Sequence, residues 1–344
     1  MSTVKITTHK ITSQQVAERA GVSQSAVSRV YTQGASSSKK TVDKVRRAAA
    51  ELGYRPNVLA RAMVSGKTRI IGLVVAYLDN QFYPEALERL SNTLQERGYH
   101  VLIFMAKSTA GNIDSVVDEI LDYQVDGIIV ASVAMSSELS ERCRAAGVPM
   151  VLFNRTQDDP NMSAVTSDNY AGGVKVAQFL LAAGHRKIGY IAGWEGASTQ
   201  RDREAGFIAT LEEAGVKLHS RTSSEFVMAK AVEATREMFT EDPPEAVFVA
   251  NDHMAIAVMD TLRFELKFKV PEDVSVVGFD DVPAAGWPAY NLTTVRQPAN
   301  RMVTNTVDIL LDQIENQHSE PQHIFIDGPL IVRGSANIPE GWNT

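Results

Sequence analysis

From Ile70 onward the sequence alternates short apolar runs with amphipathic stretches, and it does so in two series that echo each other. In the first, Ile70 to Ala76 reads as a buried strand and Pro84 to Arg97 as a helix stopped by Gly98. Val101 to Met105, Gly127 to Ala131 and Met150 to Phe153 supply further strands. The second series opens with Ile188 to Ala192, passes through a helix over Arg203 to Ala214 that Gly215 ends, and continues to Ala246 to Ala250 and Val274 to Gly278. Arg69-Ile70-Ile71-Gly72 is echoed by Arg186-Lys187-Ile188-Gly189, Glu96-Arg97-Gly98 by Glu213-Ala214-Gly215, and Val125 to Ala131 by Pro244 to Ala250. Alternating strand and helix builds parallel α/β units, and repetition of the whole series predicts two doubly wound lobes rather than one wide sheet. Ligands of such sheets bind beyond the carboxyl ends of the strands, which puts a ligand site between the lobes.

Little in this body points to catalysis. No GxGxxG or phosphate loop follows the first strand; Gly172-Gly173 opens a helix instead. Neither a Gly-x-Ser-x-Gly elbow nor an HExxH metal spacing is present. The adjacent carboxylates Asp280-Asp281 lie at a strand end, where neighbouring side chains point different ways, so one contacts a ligand and the other is structural. Cys143 is the single cysteine, which excludes an internal disulfide and a multi-thiolate zinc site and suits a reducing cytoplasm. No run approaches the roughly 18 apolar residues of a membrane helix, and Met1 to Lys10 lacks the apolar core of an export signal. The expectation is a cytoplasmic non-enzyme with no cofactor and no metal.

The net charge of −7 hides an asymmetry. Residues 1–69 carry thirteen Lys and Arg against only Glu18, Asp43 and Glu51, a net of +10, which leaves −17 on the remainder. A basic head on an acidic body implies a polyanion partner for the head alone, unless it is only a solvated basic surface. The pattern of the head decides. Thr12 and Gln15 have capping-box spacing, so a helix starts near Ser13 with Val16, Ala17 and Ala20 on one face. Gly21 supplies the left-handed turn. Ser23 then caps a second helix running through Val27 and Val30. This is the helix-turn-helix pattern, and its second helix presents Gln24, Ser25, Ser28 and Arg29 to base edges or phosphates. Ser38 caps a third helix over Val42, Val45, Ala48, Ala49 and Leu52, which Gly53 closes.

After Tyr54-Arg55-Pro56-Asn57 comes Val58-Leu59-Ala60-Arg61-Ala62-Met63, too short to be a stable helix alone in water. With VAERAGVSQSAVSRV, ELGYRPNVLARAM, SVVGFDD and LTTVRQP, the sequence from Thr12 to the C-terminus resembles the lactose/purine repressor family of bacterial regulators. The resemblance implies an α/β protein in which a small all-α helix-turn-helix domain, residues 1–56, precedes a hinge helix and linker, 57–67. A periplasmic-binding-protein-like effector domain follows over 68–344. Its chain crosses between lobes near Thr166, near Thr294 and before Gly328, giving lobe 1 as 68–166 and 295–327 and lobe 2 as 167–294 and 328–344. The hinge helix of that family folds on DNA and wedges an apolar side chain into the minor groove, where this sequence has Met63 in place of the usual Leu. DNA contacts are assigned to Thr12, Gln24, Ser25, Ser28 and Arg29 in the head and to Asn57, Leu59, Ala60 and Met63 in the hinge.

Polar residues at the predicted strand ends are the natural ligand contacts: Asp79 and Asn80, Asn154 and Arg155, Asn251 and Asp252, and Asp280. Helix capping competes as the reading for Asp252 and Asp79. Arg203 falls at a predicted helix start, where a cation gains nothing from the helix dipole, so a special role is expected of it. The resemblance matches Arg203 to an arginine that grips sugar hydroxyls or a carboxylate, and Phe82 and Tyr83 to positions where a ring stacks on the ligand. The effector-binding set is Phe82, Tyr83, Asn154, Thr199, Arg203, Phe226, Asn251 and Asp280; Phe226 within it, and Trp287 outside it, are weaker candidates that core packing would explain equally well. Amides, carboxylates and aromatic rings around an arginine suit a sugar, and Asn154 beside Arg155 admits a sugar acid. A purine or a phosphorylated sugar also fits. The sequence therefore reads as a homodimeric regulator, a repressor that binds a pseudo-palindromic operator and answers to a small molecule. The competing classes are a sugar-binding transport receptor, which the basic head disfavours, and a nucleoid-associated protein, which would have no use for a two-lobed body.

Overall fold

A computed structural model describes residues 11–31, 35–55, 67–76, 78–106, 114–131, 137–157, 159–316 and 319–342. The hinge residues Asn57, Leu59, Ala60 and Met63 lie outside the described residues. The chain divides into two compact units, Met1–Thr68 and Arg69–Thr344.

The first unit contains α1 (Ser13–Ala20), α2 (Gln24–Tyr31) and α3 (Lys39–Leu52). Its helix ends follow local chemistry. Thr12 Oγ1 accepts from the Gln15 amide at 3.3 Å while the Thr12 amide donates to Gln15 Oε1 at 2.9 Å, which closes the capping box. Gly21 ends α1 at φ 64° and Gly53 ends α3 at φ 66°. Ser23 Oγ and Ser38 Oγ accept from the Ala26 and Thr41 amides, each at 3.2 Å. Val16, Ala17, Ala20, Val27, Val45, Ala48 and Ala49 form the core, small enough for three short helices to meet closely.

The second unit contains two six-stranded sheets. The first is built from β1 (Ile70–Val75), β2 (His100–Met105), β3 (Gly127–Ala131), β4 (Met150–Phe153), β5 (Ser163–Ser167) and β11 (His323–Ile326), in the order β11-β5-β4-β3-β1-β2, all parallel. The second takes β6 (Ile188–Ala192), β7 (Ser220–Ser223), β8 (Ala246–Val249), β9 (Ser275–Asp280), β10 (Thr293–Arg296) and β12 (Leu330–Ile331), in the order β12-β10-β9-β8-β6-β7. It is parallel except where β12 runs against β10. Central strands such as β3, β4, β6 and β8 are buried at every residue, as strands covered on both faces must be. The chain passes between the sheets after β5, between β10 and β11, and between β11 and β12.

Two helices start earlier than their sequence suggests. The helix α4 is Phe82–Glu96, so Pro84 lies in its first turn, where the missing N–H leaves no bond unmade. Following α5 (Asp114–Asp122), α6 (Ser137–Ala145) and α7 (Asn169–Ala182), the helix α8 is Ser198–Glu213, five residues longer at its start than the expected Arg203 to Ala214. Gly173, the second of the glycine pair in α7, serves the approach of α8. A Cβ on Gly173 would lie 2.1 Å from the Arg203 carbonyl oxygen, and one on Gly206 would lie 2.1 Å from the Tyr170 carbonyl oxygen. Backbone therefore meets backbone at this crossing, which no larger residue permits.

Gly206→Ala should push α7 and α8 apart. Overpacking costs about 1–3 kcal/mol where side chains absorb it, and here only backbone can move, so a melting temperature lowered by several degrees is expected. Gly286→Ala is the control: the nearest atom to its Cβ is Arg333 Nη2 at 3.9 Å. Equal melting temperatures for the two variants would show that the close crossing is not maintained in solution.

Candidate functional site

In the first unit, Thr12, Gln24, Ser25, Ser28 and Arg29 are all exposed. Four of them lie on α2, whose buried residue is Val27. Gln24 Nε2 donates to Ser13 Oγ at 2.9 Å, which fixes one end of that helix. Lys44, Arg46 and Arg47 on α3 are exposed too, so the positive charge is available to solvent.

In the second unit a narrow cleft is lined by Asn80, Tyr83, Asn154, Arg155, Thr199, Arg203, Phe226, Asn251 and Asp280. Seven of the eight residues assigned to effector binding are among these. Phe82 is the exception: it packs on Tyr83 and Phe153, with ring centroids 5.4 and 6.2 Å away, and borders a separate hollow of about 360 Å³. Because α4 starts at Phe82, consecutive residues of its first turn point in different directions, and only Tyr83 faces the cleft. Trp287 belongs to neither the cleft nor the core; it is 53 % exposed. Asn80 and Arg155, noted at strand ends but left out of the assigned set, do line the cleft.

Arg203 lies in the second turn of α8, so the dipole argument made from its sequence position does not apply. Burial distinguishes it: 2 % of the residue is exposed. Its Nε donates to Asn169 Oδ1 at 2.9 Å and its Nη1 to the Ala250 carbonyl at 2.5 Å. The guanidinium lies 3.6 Å from the Phe279 ring centroid, and Nη2 stands 3.6 Å from Asp280 Oδ1. Asp280 in turn accepts from Asn80 Nδ2 at 2.9 Å and Gln297 Nε2 at 2.7 Å. Burial lowers the Arg203 pKa against the pull of Asp280, and burial raises that of Asp280 against the pull of Arg203.

Left-handed backbone aims several of these groups. Asn154 has φ 67°, Asp280 φ 126° and Asp281 φ 58°, conformations that cost non-glycine residues energy and that Asn and Asp tolerate best. Asn154 Nδ2 donates to Tyr83 Oη at 3.1 Å, whereas Asn154 Oδ1 and Arg155 Nε and Nη1 are buried without a hydrogen-bond partner. Asp281 turns away from the cleft onto Arg296 and Arg333, both at 2.6 Å. The space left among the cleft side chains is about 10 Å³, no more than one water requires. The lobes are closed.

Capping falls to a different residue from the one expected. Asn251, not Asp252, caps the helix Asp252–Asp260, accepting from the Met254 amide at 3.0 Å. At the first strand, Asp79 is exposed, and Asn80 Oδ1 accepts from the Phe82 amide at 3.0 Å. Asp252 is fully buried behind the cleft, accepting from Thr294 Oγ1 at 2.7 Å and the Val282 amide at 3.0 Å. Gly278 makes room for it, since a Cβ there would lie 2.2 Å from Asp252 Oδ1. Desolvation, with Asp280 nearby, pushes the Asp252 carboxyl up to about 7. Cys143 lies elsewhere, in a buried apolar cluster that raises its thiol to about 11 and leaves it inert as a nucleophile.

These pKa values set a pH signature. An unfolded carboxyl titrates near pH 4, so between about 4 and about 7 the folded chain holds a proton at Asp252 that the unfolded chain releases. Stability from this group therefore falls as pH rises through that window and is level above it. Asp252→Asn cannot ionise and keeps an acceptor for the Val282 amide. Its melting temperature should gain on the parent's as pH rises between about 5 and 8. A gap that stays constant across that range would mean an ordinary carboxylate at position 252.

Residues 12–57 match the bacterial regulatory proteins of the lacI family and residues 177–336 match a periplasmic binding protein-like domain. The HTH-type transcriptional regulator CelR of Thermobifida fusca is 32% identical over 334 residues, covering 94% of this chain and 98% of that protein. A solved structure of a CelR–cellobiose complex superimposes with a TM-score of 0.71 at 31% identity, covering 94% of this chain and 99% of its own. The lac repressor dimer bound to operator and the anti-inducer ONPF gives a TM-score of 0.85 at 26% identity over 95% of this chain and 99% of its own. A helix-turn-helix head, two parallel-sheet lobes and likeness along nearly the whole length agree, and the chain belongs to the lacI family of bacterial regulatory proteins.

Proposed function

We propose that this protein is a sequence-specific DNA-binding transcription repressor whose operator affinity is set by a small polar molecule, a sugar or sugar acid, held between its lobes. The observation that carries the reading is the cleft itself, where two buried arginines, a carboxylate, three amides and two aromatic rings converge from both sheets. Polar atoms for hydroxyls and flat apolar faces for ring carbons are what a sugar demands. CelR with cellobiose and the lac repressor with operator, both similar along most of this chain, support the two halves of the reading.

On this assignment residues 1–56 bind DNA, 57–67 form the hinge, and 68–344 sense the effector. Two heads, one from each protomer of a homodimer, read the half-sites of a pseudo-palindromic operator. The protein works in the cytoplasm, without a cofactor and without a catalytic step; no helix among the described residues is long and apolar enough to cross a membrane. Closure is held by polar contacts between lobes: Asn80 to Asp280 at 2.9 Å, Thr156 to Ser198 at 2.9 Å and Ala284 to Gln81 at 3.2 Å. An effector that competes for Asn80 and Asp280 shifts the balance of open and closed lobes by its differential affinity for the two.

Two experiments test the reading. Operator affinity should fall with salt at a log–log slope of roughly −5 or steeper for a dimer; a flat titration would leave the basic head a mere solvated surface. Arg203→Lys keeps the charge but loses the planar fork. It should abolish the effector's influence on operator affinity while leaving the affinity of the unliganded protein unchanged. An effector response equal to the parent's would remove Arg203 from the site.

A further inference from the structure

The two cations of the cleft are treated very differently. Arg203 is spent on Asn169, Ala250, Asp280 and the Phe279 ring. Arg155, two residues past the end of β4, is 6 % exposed, and its Nε and Nη1 are buried without a hydrogen-bond partner. Its guanidinium lies over the face of Trp194, with the guanidinium carbon 5.6 Å from the ring centroid. Among the described residues Asp280 is the one acid lining the cleft, and it already faces Arg203, Asn80 and Gln297. The residue beside Arg155, where an acid would have neutralised it, is Asn154, whose Oδ1 is also unpartnered. The closed cleft thus holds one positive charge in excess and, next to it, one free acceptor.

A buried guanidinium with no counter-charge is among the costliest arrangements a protein adopts. A neutral hydroxyl accepts a hydrogen bond but leaves the charge uncompensated. A carboxylate answers both, since its two oxygens match the guanidinium fork and its single charge matches the single excess cation. A phosphate monoester brings nearly two negative charges at neutral pH and overshoots. We propose, building on the reading of this cleft as the effector site, that the effector is a polyol carrying one carboxylate, an aldonate or uronate, with the carboxylate on Arg155 and a hydroxyl donating to Asn154 Oδ1.

The test is calorimetric titration of the full chain with matched sets of probes: glucose, gluconate, glucuronate and glucose 6-phosphate, and the corresponding galactose and ribose series. At least one monocarboxylate should bind about tenfold or more tightly than its neutral parent sugar. Arg155→Gln should bring the acid down to the parent's affinity, and Arg155→Lys, which keeps the charge without the fork, should fall between. Added salt should weaken the acid alone. The charge assignment is overturned by a neutral sugar that binds as tightly as its acid, by a phosphate that outbinds the carboxylate, by an acid whose advantage survives Arg155→Gln, or by a panel in which nothing binds. A neutral sugar whose binding is lost in Arg203→Lys would leave the cleft standing as the effector site while removing the carboxylate. Binding indifferent to both arginines would overturn the cleft reading itself. Thermal melts of the Gln and Lys variants establish folding before either is titrated.

Discussion

A guanidinium removed from water must have its hydrogen bonds and its charge met by the protein, and much of the body is arranged around that demand at Arg203. Its partner Asn169 opens α7, on the far side of a helix crossing, and the bond exists only because Gly173 and Gly206 let the two backbones touch. Gly172 does the same for the Phe279 ring under the guanidinium; a Cβ there would lie 2.4 Å from that ring. Asn169 is itself fixed, donating to Thr166 Oγ1 at 3.1 Å and the Ser167 carbonyl at 2.9 Å. Those residues end β5, where the chain leaves the first sheet for the second. The cation is thereby tied to the first crossover between the lobes.

The other crossovers are tied to the same place through the paired carboxylates. Asp280 accepts from Gln297, which follows β10, and Gln297 Oε1 accepts from Ser167 Oγ at 3.1 Å. Asp281, turned the other way by its own left-handed backbone, pairs with Arg296 at the end of β10 and Arg333 just beyond β12. One strand end therefore holds a cleft-facing carboxylate and anchors the segments that connect the lobes. A change at Asp280 reaches the crossovers through one or two hydrogen bonds, with no longer path required.

The sequence made the sheets legible because strands buried on both faces read as unbroken apolar runs. Gly127–Ala131, Met150–Phe153 and Ile188–Ala192 are found with the expected ends. Helix starts were less legible. Phe82 and Tyr83 precede the Pro84 that the sequence suggests as the start, and Ser198 and Thr199 open a helix that has no side-chain cap. The early start of α8 is what moves Arg203 inward by a turn. The division of labour between Asn251 and Asp252 was hidden as well, because a residue's role at a helix end changes with one residue of register. The left-handed φ of Asn154 and Asp280 has no signature in residue type beyond Asn and Asp tolerating it. Residue types at strand ends named most of the cleft lining; helix register and backbone angles decided which of them enter it.

The duplication of the body is symmetric in its strands but not in its charges, and this asymmetry bears on how a ligand acts. The second lobe brings Arg203 and Asp280 to the cleft already paired, at 3.6 Å, so its share of the site is neutral before any ligand arrives. Among the described residues, the first lobe brings to the cleft Arg155 and no carboxylate. While the lobes are apart, water solvates that guanidinium at no cost; on closure water is expelled and the charge is left with the Trp194 ring. The inter-lobe hydrogen bonds Asn80–Asp280, Thr156–Ser198 and Ala284–Gln81 favour closure, each worth about 0.5–1.5 kcal/mol net, while desolvation of Arg155 opposes it by an amount of the same order as their sum. Balanced contributions of that kind make a two-state element that a modest differential affinity can tip. On the carboxylate assignment, the charge a ligand brings to Arg155 is realised only in the closed form, so the group that selects the ligand also sets the size of the conformational shift it produces.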